Sequence, residues 1–254
     1  MLGTRLRTRE SAANPRCIHV NSLLTPVNSR NTRICGRIRT SVVAIFKQAR
    51  ARLKAYDAMT RADAYNAAAD IAYRRLATGR MPRGRHEWES LGNALGKFNM
   101  DRQMGSISSS KGRKNLGALR LALTRRGRVL RPLLSKKISL PLIHRHSEDL
   151  ANLFDHLSSS GRVVPGKRFP VGVTKTLHFL NPEVFIVVDR RVAERLKIGS
   201  KALPKTASRY TGIDYVSALQ LVASQLQSYG IARLRRLQPG QPTLRIVDKI
   251  LFMP

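Results

Sequence analysis

The chain has 254 residues, 42% of them hydrophobic, and carries 47 Lys and Arg against 15 Asp and Glu for a formal net charge of +32. That length allows one or two domains with a real core, and the absence of any run of about 18 apolar residues excludes a spanning helix. So large a cationic surplus repels itself in a compact state and calls for a polyanionic partner, nucleic acid ahead of an anionic membrane surface.

Residues 1–40 hold eight arginines, no lysine and one acid, Glu10, in a Ser-, Thr-, Asn- and Pro-rich context without apolar periodicity. Three readings stand: a disordered basic tail, an Arg-rich organellar transit peptide, or an upstream extension outside the native start. Cys17 and Cys35, the only cysteines, both lie here. Two thiols in such a segment make no disulfide framework and agree with a reducing, intracellular setting, cytoplasm or nucleoid first and an organelle second.

A helical domain is expected over residues 41–254. Val42, Ile45, Phe46, Ala49, Leu53 and Tyr56 recur at three- and four-residue spacing, and Ala64, Ala67, Ala68, Ile71 and Ala72 repeat the pattern up to Gly79 and Pro82. This predicts one long helix or a helical hairpin, with Arg50, Arg52 and Lys54 on a solvated face. Residues 86–104 predict a shorter helix anchored in the core by Trp88, the only tryptophan. The Ser/Gly loop at 105–112 is the best place for an internal subdivision.

Between Asp101 and Glu148 there is no acid, while twelve bases occur: Arg102, Lys111, Arg113, Lys114, Arg120, Arg125, Arg126, Arg128, Arg131, Lys136, Lys137 and Arg145. Interleaved Leu116, Leu119, Leu121, Leu123, Leu130, Leu133 and Leu134 require part of this region to pack. A basic element with an apolar side suits contacts to a phosphate backbone, and Lys167 and Arg168 in the following basic turn extend the set. His144, His146 and His156 are spaced by two and then ten residues, which matches no metal-ligand pattern. Neither a metal nor a cofactor is expected. Ser147 with Glu148 and Asp149 starts a helix whose face is Leu150, Leu153, Phe154 and Leu157.

Residues 169–192, FPVGVTKTLHFLNPEVFIVVDRRV, are where the sequence suggests chemistry. An apolar helical run carries Lys175, a turn follows at Asn181-Pro182, then the run Phe185–Val188, then Asp189 before the next helix. An amine and a carboxylate on either side of an apolar wedge can be a nucleophile and its partner. They can equally be a lysine laid over a core helix and a helix N-cap. Helices are also expected near 194–196, over 214–229 and after Pro242, and the whole is mostly α, a multi-helix globular fold with few strand signals.

Phe169-Pro170-Val171-Gly172-Val173-Thr174-Lys175-Thr176, with Val188-Asp189-Arg190-Arg191-Val192 beyond it, resembles the hairpin and following segment of helix-hairpin-helix DNA glycosylases. One glycine, Gly172, stands where that family has two. The resemblance implies a glycosylase-like helical architecture in which hairpin amides grip a DNA phosphate. It further implies Lys175 as the amine that attacks the sugar C1′ of a flipped-out nucleotide, and Asp189 as the carboxylate that assists departure of the base. Three functions therefore compete: phosphate-contacting nucleic-acid binding with DNA favoured, a DNA glycosylase or abasic-site lyase, and a non-catalytic RNA-associated protein.

Overall fold

The computed structural model describes residues 46, 48–59, 62–76, 80–159, 161–198 and 210–253. The Arg-rich segment 1–40 and both cysteines lie outside the described residues. Within them the chain is mostly α-helical, and a single isolated bridge between Val164 and Lys167 is the only β pairing.

The first helical stretch is a hairpin, α1 (Ala49–Asp57) and α2 (Ala62–Leu76). Phe46, Leu53 and Tyr56 are buried as their spacing predicts. On α2 the predicted face is wrong. Ala64 and Ala67 are exposed and Ile71 is 46% exposed, whereas Ala62, Ala69, Ala72, Tyr73 and Leu76 face the core. Alanine is small enough to lie on either side, so the large Tyr73 and Leu76 set the rotation of the helix. Arg52 is likewise only partly exposed, because its guanidinium donates to the Met253 carbonyl at 3.1 Å.

α3 (Arg85–Leu95) buries Trp88 and pairs with α2. At Gly96–Met100 the helix kinks: Phe98 takes φ −89°, ψ 29° and Asn99 a left-handed φ of 62° before α4 (Asp101–Met104) resumes. The loop to α5 (Ser110–Arg125) is capped by Ser109 and fastened by Asn115, whose amide donates to the Met104 carbonyl at 2.8 Å. α6 (Gly127–Leu134), α7 (Leu140–Arg145) and α8 (Ser147–Ser158) follow. One hydrophobic cluster runs through all of these and on to Leu251.

α9 (Pro170–Leu180) is the hub, touching α2, α3 and α8. It is buried nearly all round, as a central helix must be, and Lys175 is the charged exception. The Asn181-Pro182 turn then ties the domain together. Asn181 donates to the carbonyls of Leu133 (2.7 Å) and Lys136 (3.0 Å), and Glu183 pairs with Arg235 at 2.8 Å.

The run Phe185–Val188 is extended and fully buried, yet no strand lies beside it. Buried carbonyls must be satisfied somewhere, and here side chains do it. The Phe185 carbonyl accepts from His178 Nδ1 (2.6 Å), that of Ile186 from the Tyr215 hydroxyl (3.2 Å) and that of Val188 from the Tyr210 hydroxyl (2.6 Å). Thr174 Oγ1 accepts from the Val188 amide at 3.1 Å. This lattice fixes where Asp189 emerges at the head of α10 (Arg190–Leu196), which ends in a left-handed Lys197.

α11 (Gly212–Tyr229) begins with a reciprocal Thr211–Asp214 capping box and packs along α8. After the short α12 (Ile231–Arg235), α13 (Thr243–Phe252) closes the fold against α1 and α10.

Candidate functional site

Lys175 and Asp189 come to one cavity. Both line a cavity of about 130 Å³ together with Tyr56 of α1, Tyr65 of α2, Phe98 and Asn99 of the kink, Val187, and Arg245, Asp248 and Phe252 of α13. The hub helix delivers the lysine, the side-chain-braced extended run delivers the aspartate, and α13 adds a second carboxylate.

Lys175 Nζ donates to the Phe98 carbonyl at 2.6 Å. That acceptor is free because the kink interrupts the helical hydrogen-bond ladder. The amine also stands 5.8 Å from the Phe98 ring centroid. Burial lowers the lysine's pKa, with Asp189 and Asp248 opposing the shift. Asp189 is the N-cap of α10, its Oδ1 accepting from the Val192 amide at 3.0 Å. Burial raises its pKa despite that bond, Asp248 adds to the rise and Lys175 works against it. The cap and the cavity wall are thus the same side chain.

Asp248 and Arg245 were not legible as site residues. Arg245 is 1% exposed, donates to Asp248 at 2.6 Å, to the Tyr56 hydroxyl at 2.9 Å and to Asn66 at 3.2 Å, and lies 5.5 Å from the rings of Tyr56 and Phe98. Its Nε finds no hydrogen-bond partner among the described residues. The signal was present in α13: three charged residues, Arg245, Asp248 and Lys249, inside a run, Leu244–Leu251, that is otherwise Leu, Ile and Val. Thr243 to Leu251 are all buried, so those charges had to be interior. Lys249, buried too, reaches Gln238 at 2.9 Å and Asp57 at 3.5 Å.

Two cations, Lys175 and Arg245, and two anions, Asp189 and Asp248, line the cavity and cancel formally. In a chain of net +32 this is no polyanion site. Its aromatic walls and converging polar groups suit a small ligand. An enclosed cavity of roughly 150 Å³ holds benzene, so a volume of about 130 Å³ has room for a single ring. A depressed lysine beside carboxylates can supply a neutral amine for attack on an electrophilic carbon.

The basic residues lie elsewhere on the surface. Lys111, Arg113, Lys114, Arg120, Arg125, Arg128, Arg131, Lys136, Lys137, Lys167 and Arg168 are all exposed, while Leu116, Leu119, Leu123, Leu130, Leu133 and Leu134 between them are buried and Leu121, expected to pack with them, is 51% exposed. Arg126 is the exception, half-buried with its guanidinium 3.3 Å from His156 Nδ1. None of the twelve pairs with an acid among the described residues. Arg113 donates to the Ser108 carbonyl and Arg168 to that of Tyr210 at 3.4 Å, bonds that leave both charges uncompensated. Between α8 and α9 the turn closes through the Phe169 amide on the Ser158 carbonyl at 3.1 Å. Gly172 sits in the first turn of α9, where a Cβ would come within 1.9 Å of the Phe169 ring, so close packing requires glycine there.

No protein-family model, curated protein or solved structure matches this chain.

Proposed function

We propose that this protein binds nucleic acid, DNA ahead of RNA, through phosphate contacts made by the exposed bases of α5 to α7 and the turn before α9. The observation that carries this reading is the acid-free interval itself, whose cations stand in solvent without anionic partners on helices whose other side is buried. Cations held unpaired against one another are unfavourable until a polyanion arrives. The preference for DNA rests on the glycosylase resemblance. Binding to a labelled duplex, a single strand and a stem-loop RNA tests the reading. Tightest binding to duplex DNA is expected, and tightest binding to looped RNA would favour an RNA-associated protein.

A second reading is supported by the shared cavity: a DNA glycosylase or abasic-site lyase. The neutral amine of Lys175 would attack C1′ as the bond from C1′ to the base, or to the abasic hydroxyl, breaks with its electron pair going to the leaving group. The proton that the ammonium loses would go to the departing base or hydroxide, and opening of the sugar, with O4′ taking a proton from solvent, would give an iminium. Borohydride would reduce that iminium to a stable secondary amine, so a covalent protein–DNA adduct is expected with abasic or lesion-bearing duplex. It should vanish in Lys175→Met. No adduct with the unaltered protein on any such duplex removes the enzyme reading and leaves the binding one.

A further inference from the structure

Three surface clefts carry arginines, and their linings differ. One, between Arg235, Arg236 and the 239–242 turn, includes Glu183; another, by Arg50, Lys54 and Arg236, includes Asp57. The third, about 490 Å³, lies between the segment before α3 and the elbow joining α5 to α6. It is lined by Arg80, Arg83, Thr124, Gly127, Arg131 and neighbouring apolar atoms, with no acid in its lining.

The nearby acid is Glu87, and it is already occupied. Arg80 grips both its oxygens at 2.5 and 2.9 Å, and the Arg83 amide donates to it at 2.8 Å. That fork fixes the Arg80–Arg83 segment at the cleft rim. The side chains of Arg83 and Arg131 have no hydrogen bond or ion pair among the described residues and are exposed. They come from parts of the chain about fifty residues apart, so folding, not sequence adjacency, brings two exposed guanidinium groups to one recess, that of Arg83 within electrostatic reach of Glu87. Thr124 continues down α5 through Arg120 to Arg113 at helical spacing. Eleven residues at 1.5 Å give that stripe a length of roughly 16 Å, several phosphate steps of a strand.

We infer that this cleft seats a backbone phosphate of the bound nucleic acid between Arg83 and Arg131. The guanidinium fork is the geometry that matches phosphate oxygens, and a recess shields the pair from solvent better than a convex surface does. The inference rests on the nucleic-acid reading and adds to it Arg83, which lies outside the acid-free interval.

The test compares two double variants with equal loss of charge, Arg83→Gln/Arg131→Gln and Arg50→Gln/Lys54→Gln, on a labelled duplex across a salt series. The cleft variant should weaken binding at least roughly tenfold. It should also flatten the log–log salt slope by about 0.9, one phosphate contact, equally on unrelated sequences. The control pair should leave the slope unchanged. Steep salt-dependent binding by the unaltered protein with no change in the cleft variant, or with equal changes in both, overturns the cleft alone. Salt-independent binding by the unaltered protein overturns the nucleic-acid reading and the cleft with it.

Discussion

His178 shows how one residue can hold an interior together by staying neutral. Its Nδ1 donates to the Phe185 carbonyl at 2.6 Å, which leaves Nε2 to accept from the Tyr73 hydroxyl at 2.7 Å. A second ring proton would reverse the bond to Tyr73 and place a charge in a fully buried site, and that burial drops the imidazole from 6.5 to about 3. The folded value is depressed, so the unfolded chain takes the proton first. Stability from this group is complete above pH 6.5 and lost toward pH 3, by about 1.4 kcal/mol per pH unit at the steepest. His178→Asn should therefore be most destabilising at pH 7.5, with the difference from the parent shrinking toward pH 4 in urea titrations; a constant difference would show that the ring is not held neutral. Asp189 allows a different separation. Asp189→Asn keeps an N-cap oxygen and should stay within a few tenths of a kcal/mol of the parent, while Asp189→Ala should lose about 1 kcal/mol. If Asp189 takes part in chemistry, the Asn variant folds normally and still loses borohydride trapping. Lys175 and Asp189 were legible because each interrupts an apolar run. Phe98 and Asn99 were not, because a kink is invisible to periodicity.

At the level of elements, the helices were legible wherever bulky side chains marked a face. α8 shows Leu150, Leu153, Phe154 and Leu157 buried as their spacing demands. α2 held only at Ala72, because four of its five repeating residues are alanines and the fifth, Ile71, is 46% exposed. The buried run Phe185–Val188 carries the composition of a strand, and only the folded chain reveals that Tyr210, Tyr215, Thr174 and His178 replace a neighbouring strand. The α8–α11 seam depends on contact that a single methyl group would prevent. A Cβ on Gly212 would lie 2.0 Å from the Ala151 carbonyl oxygen, a backbone atom that cannot swing aside. The Gly212 amide also donates to Asp155 at 2.8 Å, and Phe154 stacks on Tyr215 with centroids 5.0 Å apart. Gly212→Ala should lower unfolding free energy by about 1–3 kcal/mol, read from denaturant midpoints. A change below about 0.5 kcal/mol would mean the two helices are free to slide apart.

Across the whole molecule the charges divide into two populations. A small set sits in the interior with opposite charges at hand: Arg245 pairs with Asp248, the buried Lys249 reaches the exposed Asp57, and Lys175 shares its cavity with Asp189. A much larger set is exposed and unmatched along α5 to α7. Bulk composition announced the second population, since 47 bases against 15 acids cannot all be paired. It concealed the first, because Asp248 and Arg245 are lost among so many charges until α13 is seen to be enclosed. Among the described residues no helix is long and apolar enough to cross a membrane. The direct measurement is affinity for a short labelled duplex as salt rises from about 50 to about 200 mM. With four or more phosphates neutralised, affinity should fall by at least about a hundredfold on a linear log–log plot. A flat plot would contradict the claim that these cations meet a polyanion.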